Sequence, residues 1–195
     1  MSDRLFVSTR KGLFTIQRTG TDTPHWAVTR ASFLGDNVTL VYPDSRNGRV
    51  YAVLDHGHFG IKMHSSTDCG VSWKECAVPV YPTPPSDHKP DICAMSGIEI
   101  PWSLKLIWAL AAGGPDEPDV LWCGTVPGGL FRSDDGGDSW QFIRSLWDQP
   151  DRKHWFGGGL DYPGIHSICV DPRNANHITV GVSCGGVWQT RDRGE

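Results

Sequence analysis

The sequence predicts an all-β fold, a β-propeller assembled from four-stranded blades, and three observations lead there. A turn pattern recurs as Ser66-Thr67-Asp68-Cys69-Gly70-Val71-Ser72-Trp73, as Ser133-Asp134-Asp135-Gly136-Gly137-Asp138-Ser139-Trp140, and as Thr190-Arg191-Asp192-Arg193-Gly194-Glu195. The segment before each turn recurs too: Phe59-Gly60-Ile61-Lys62-Met63, Gly128-Gly129-Leu130-Phe131-Arg132 and Gly185-Gly186-Val187-Trp188-Gln189, with Lys11-Gly12-Leu13-Phe14-Thr15 as a fourth copy. Composition agrees, since Gly 23, Pro 14 and Trp 9 with only 21% charged residues suit short strands and tight turns better than a helical bundle. Short strands repeating in fours read as propeller blades.

In chain order, the first blade is expected at 4–31, opening with a strand at 5–8 that reads as the second of its blade. The second spans 37–78, with strands at 38–42 and 50–54 joined by the turn Pro43-Asp44-Ser45-Arg46-Asn47-Gly48. The third spans 103–146, with strands at 105–110 and 120–124 around Pro115-Asp116-Glu117-Pro118-Asp119. The fourth spans 165–195, with strands at 165–170 and 178–182 around Asp171-Pro172-Arg173-Asn174-Ala175-Asn176. Pro fixes φ in these turns, and Asn or Gly tolerates positive φ. Two long loops, 79–102 and 147–164, separate the later blades. About three and a half blades are present where a closed propeller holds about six to eight, so the chain reads as a fragment, half of such a ring, with open strand edges.

The recurrent Ser/Thr-x-Asp-x-Gly-x-Ser/Thr-Trp turn resembles the Asp-box, or bacterial neuraminidase (BNR) repeat. That repeat is found in sialidases, xyloglucan-cleaving propellers, sortilin-type receptors and photosystem assembly factors. The resemblance implies a sialidase-like, glycosyl hydrolase BNR-repeat propeller, with the boxes on its outer rim, away from the active site. In chemical terms the box is a hairpin staple. Its carboxylate accepts turn amides, its glycine takes a conformation other residues resist, and its tryptophan covers the hairpin base. Ser66, Asp68, Gly70, Trp73, Ser133, Asp135, Gly137, Trp140, Thr190, Asp192 and Gly194 are therefore expected to be structural. Sialidases also carry an Arg-Ile-Pro signature, and none occurs in this sequence.

In an antiparallel four-stranded blade, the turns after the first and third strands share one end. The turn after the second strand and the connection into the first strand share the other, and a ligand is expected at that loop face. Arg10, Lys11, His56, His58 and the long loops fall there. Asp91, Glu99, Asp161 and Tyr162 are the candidate catalytic residues, as acid, base or nucleophile. Trp102 and Trp155 are candidate stacking platforms, Arg10 and Lys11 would meet an anionic group, and His166 opens an innermost strand. A three-histidine metal site from His56, His58 and His166 is a weaker alternative; otherwise neither metal nor cofactor is expected.

The formal net charge of −4 and the absence of a basic stripe argue against nucleic acid and anionic membrane as partners. No stretch reaches transmembrane length, and Met1-Ser2-Asp3-Arg4 does not open an export signal. The six cysteines have no CxxC spacing and read as reduced, mostly buried thiols of a cytoplasmic protein, with Cys184 as an alternative reactive thiol. The leading expectation is a glycoside hydrolase acting on carbohydrate. A non-catalytic propeller binding a protein or a small polar ligand is the alternative, and a metal-dependent lactonase-type propeller the second.

Overall fold

The computed structural model describes residues 3–195. Contacts divide the chain into two compact units, Met1–Cys76 and Ala77–Glu195. The first unit holds two antiparallel meanders. One comprises β1 (Arg4–Thr9), β2 (Gly12–Thr19) and β3 (His25–Ser32); the other comprises β4 (Asn37–Pro43), β5 (Val50–Asp55), β6 (Ile61–Ser66) and β7 (Lys74–Cys76). The second unit holds a four-stranded sheet of β8 (Leu106–Ala112), β9 (Leu121–Val126), β10 (Leu130–Ser133) and β11 (Gln141–Phe142). Its other sheet has three strands, β12 (Ile165–Asp171), β13 (Asn174–Val182) and β14 (Gly186–Thr190). These sequential antiparallel sheets are β-propeller blades, as the repeat predicts.

Burial follows position in the blade. The second strands, β5 and β9, are apolar on both faces: β5 is buried from Val50 to Leu54, and β9 along its whole length. Strands buried on both faces read as continuous apolar runs rather than alternating ones. In the second unit β9 meets β12 closely at Gly124, where a Cβ would lie 2.7 Å from the Ile165 carbonyl oxygen. Val120, Trp122, Leu130, Ile165, Ile178, Val180 and Val182 form the core there. In the first unit Leu13, Val38, Ala52 and Leu54 do so, with Phe33 and Trp73 packed against them.

The Ser/Thr-x-Asp-x-Gly turns follow the third strands, and those at Ser66 and Ser133 close hairpins. Ser66 Oγ donates to Asp68 Oδ1 at 2.7 Å and accepts the Gly70 N–H at 2.8 Å. Asp68 also accepts the Val71 and Ser72 amides at 3.0 and 2.9 Å and the Ser72 hydroxyl at 2.6 Å. Ser133, Asp135, Gly137 and Ser139 repeat the arrangement, with Gly137 N–H to Ser133 Oγ at 2.8 Å and Ser139 N–H to Asp135 Oδ1 at 2.8 Å. Thr190 donates to Asp192 and accepts the Gly194 N–H at 3.0 Å. Gly70, Gly137 and Gly194 have φ of +83°, +93° and +83°, the region that favours glycine. Hydroxyl and amide donors from Ser72 and a hydroxyl from Ser66 hold the Asp68 carboxyl well below the usual carboxylate range. Slight burial opposes the same effect at Asp135, and hydrogen bonds from Ser139 and Ser133 outweigh it. Trp73 packs on Phe33, and Trp140 Nε1 donates to the Ala77 carbonyl at 3.0 Å.

A second repeated device lies at the same end of the strands. Asp44, 2% exposed, accepts the Arg46 backbone N–H and both Nε and Nη2 of its side chain. Asp171 does the same for Arg173, which closes the turn tightly enough for β13 to begin at Asn174, earlier than expected. The 147–164 loop also differs from expectation, because its approach is helical: α1 (Arg144–Trp147) is followed by a 3-10 turn, Pro150–His154. Pro150 at the start of that turn supplies the fixed φ that favours it. Among the described residues all six cysteines are free, but Cys169 and Cys184 are exposed rather than buried. No helix among those residues is long and apolar enough to cross a membrane.

Candidate functional site

In the second unit, the two long loops gather at the end of the strands opposite the stapled turns. Loop 79–102 is anchored by Tyr81, which is 7% exposed. Thr125 Oγ1 donates to the Gly129 carbonyl, so Tyr81 Oη donates to Thr125 Oγ1 at 2.6 Å and accepts the Gly129 N–H at 2.9 Å. Burial pushes the Tyr81 hydroxyl well above its ordinary pKa, which keeps it a donor. Its ring packs on Phe131, Phe142 and Trp147. Further along the same loop, Cys93 N–H bonds to the Ile98 carbonyl and Ile100 N–H to the Asp91 carbonyl, closing a small hairpin. Ser96 at its tip donates to the Asp161 carbonyl at 2.8 Å, joining the two loops.

Between loop 79–102 and the helical segment lies a cleft of about 370 Å³, lined by His88, Asp91, Trp102, Trp147, Arg152 and Lys153 among others. Arg152 is 6% exposed although it carries a charge. Its Nε donates to the Trp147 carbonyl at 2.7 Å, its Nη2 pairs with Asp91, and its guanidinium lies 3.9 Å from the Trp147 ring centroid. A buried charge needs such an ion pair and hydrogen bonds to be tolerated. Two donors on residues that line the cleft, Trp147 Nε1 and Arg152 Nη1, are buried without a hydrogen-bond partner. Trp102 Nε1 donates to His88 Nε2 at 3.2 Å, which places the His88 ring proton on Nδ1. Trp102 itself is half-buried and stands edge-on to Trp147.

The sequence candidates divide between this region and elsewhere. Asp91 and Trp102 line the cleft; Glu99, Asp161 and Tyr162 are not among its lining residues. Asp91 is held in an ion pair with Arg152, a partner that the sequence does not announce. Glu99 and Asp161 are exposed and Tyr162 is half-buried. The expectation for Trp155 is corrected. At 2% exposure it belongs to the apolar core and packs on Trp188, so its faces are not free to stack on a sugar.

His166 is exposed, with its ring 5.9 Å from that of Trp108. It sits at a register shift between Ile165 and Ser167, and matching shifts occur at Thr39 in β4 and Trp108 in β8. Bulges of this kind re-aim a side chain out of the ladder and are common beside active sites. Nothing in the composition of these strands announces the bulge; only the alignment of the three first strands would have brought Trp108 forward.

In the first unit, Arg10 and Lys11 are exposed at the β1–β2 turn, where the Lys11 N–H bonds to Thr9 Oγ1 at 3.0 Å. His56 and His58 do not alternate along an extended strand, because Gly57 between them has φ of +58° and starts a 3-10 turn, Gly57–Phe59. His56 stands 4.0 Å from Asp36, and His58 packs edge-on to Phe59. Among the described residues no group of three or more His, Cys, Asp or Glu side chains is gathered for a metal ion.

No protein-family model matches the chain. Over 85 residues it is 35% identical to the oligoxyloglucan-reducing end-specific xyloglucanase of Emericella nidulans, a match covering 43% of this chain and 9% of that enzyme. The GH74 xyloglucanase of Xanthomonas campestris has a similar structure, with a TM-score of 0.53 and 18% identity over 93% of this chain and 26% of that one. YCF48 of Cyanidioschyzon merolae is similar at a TM-score of 0.53 and 10% identity, over 99% of this chain and 53% of that one. The chain thus spans about half, or far less, of the length of the proteins it matches. These likenesses and the stacked antiparallel sheets establish β-propeller blades as its fold.

Proposed function

We propose that this chain is part of a glycoside hydrolase-like propeller that handles carbohydrate on its loop face. The 35% identity with a xyloglucanase over 85 residues is the observation that carries this reading. The repeated Ser/Thr, Asp and Gly bonding of the stapled turns supports reading them as Asp-boxes with a structural role. Glu99 and Asp161 are the proposed acid and base, because both carboxylates are exposed on loops joined by the Ser96 to Asp161 hydrogen bond. Tyr162 beside Asp161 is a proposed supporting group, and His166 next to Trp108 a proposed ligand contact. Free thiols accord with a cytoplasmic setting.

Turnover of xyloglucan oligosaccharides and a panel of chromogenic glycosides tests the proposal. Glu99→Gln and Asp161→Asn should each lower the rate about 10²- to 10⁴-fold with the fold intact; full activity in both variants would remove the assigned pair.

A protein-binding role is the second reading. Ile92, Met95, Ile98 and Leu160 are exposed on the same two loops, and a run of apolar side chains there suits a protein surface. Absence of turnover, with a stable complex whose assembly is lost on Ile92→Asp, would favour this role over hydrolysis.

A further inference from the structure

The cleft between loop 79–102 and the 3-10 turn Pro150–His154 is unlike the rest of the chain in its charge. The chain has a formal net charge of −4, yet the cleft is lined by three cationic side chains, Arg144, Arg152 and Lys153, against two carboxylates, Asp91 and Asp148. Arg144 and Asp148 neutralise each other across one helical turn, and Asp91 occupies one edge of Arg152. Lys153 is exposed on the cleft wall and makes no ion pair among the described residues. Both buried, partnerless polar atoms contributed by the lining residues, Arg152 Nη1 and Trp147 Nε1, are donors. Native folds rarely bury donors without acceptors, so these atoms point to an acceptor-rich guest. His88 adds a ring N–H, and Trp102 offers a half-buried indole.

We infer that this cleft binds a carboxylate carried on a ring. The ring lies on Trp102 while the carboxylate is drawn to Lys153 and the free edge of Arg152. A neutral guest would leave the excess charge and the orphaned donors unanswered. An isolated inorganic anion would leave the indole unused. Resting on the carbohydrate reading above, the ring is a hexuronic acid residue of a glycan, and the charged sugar is the feature that the cleft selects.

Calorimetric titration of the protein with cellobiouronic acid, cellobiose and benzoate tests this. Cellobiouronic acid should bind at least about tenfold more tightly than cellobiose at low salt, and the ratio should shrink as salt screens the cleft. Lys153→Gln should reduce that ratio several-fold, and Trp102→Ala should weaken both sugars. Both positions border solvent, so neither variant should compromise folding, which circular dichroism checks. Equal affinity for the two disaccharides would overturn the inference and leave the carbohydrate reading standing. Binding of benzoate alone, lost in Lys153→Gln, would uphold the ring-carboxylate site and remove the carbohydrate reading. Failure of all three probes to bind would overturn the inference outright.

Discussion

The two ends of the strands in the second unit are built in opposite ways. At the turn end, the bonds among Ser133, Asp135, Gly137 and Ser139 are the same, atom for atom, as those among Ser66, Asp68, Gly70 and Ser72. At the loop end a short backbone turn recurs, Gly128 N–H to the Thr125 carbonyl and Gly185 N–H to the Val182 carbonyl, but the side-chain contacts around it are singular. Tyr81 reaches into the turn at Thr125 and Gly129, the Gly164 N–H bonds to Ser183 Oγ, and Arg152 pairs with Asp91. The difference separates two tasks. Local, repeated chemistry sets the hairpins; singular, long-range chemistry shapes the loop surface.

Removing Tyr81 should break this division most severely. Tyr81→Ala deletes a buried ring and leaves the Gly129 N–H without its acceptor, at a cost of about 3–5 kcal/mol in denaturant unfolding. Hydrogen exchange should show the loss at the loop end, with the Gly137 amide still protected; loss at both ends together would mean that the ends are not independent.

Ser133→Ala should be milder, about 1–3 kcal/mol, because it removes one buried hydroxyl and orphans the Gly137 N–H. Its exchange signature should be the reverse, confined to the turn end.

The smallest effect concerns pH. Since the Asp68 and Asp192 carboxyls are held below their ordinary range by hydrogen bonds, the stability they lend is fully present above that range. It fades only as pH falls through their lowered values. Carboxyl carbon titration by NMR should therefore give midpoints below the free aspartate value of about 3.9. A midpoint at or above that value would show that the staple does not favour the ionised form.

What the sequence revealed follows the same division. The stapled turns were legible because every partner of Asp68 lies between Ser66 and Ser72. The Asp44–Arg46 and Asp171–Arg173 turns are equally local and were read only as turn chemistry, although the shared Asp-x-Arg-Asn spelling was there to find. Strand order alone puts the long loops at the end opposite the stapled turns, but the contents of that end are not legible. Tyr81 and Thr125 are 44 positions apart, and Arg152 and Asp91 are 61 apart. No local pattern announces partners at such separations. Trp155 shows the consequence: a tryptophan in a long loop looked available for stacking, and tertiary packing had already consumed it.

The self-containment of the Ser/Thr-x-Asp-x-Gly turn has a bearing on ancestry. A motif that satisfies its own carboxylate and hydroxyl asks little of neighbouring strands, one amide bonded near the start of the second strand (Gly136 N–H to Asp119, Arg193 N–H to Asn176), so a duplicated gene segment carries most of a working closure with it. Copies such as those at Ser66 and Ser133 are then free to drift everywhere else. The connection between Thr19 and His25 in the first sheet, which relies on a Thr19 hydroxyl contact to the His25 ring, shows that one hairpin of the series is closed by other means.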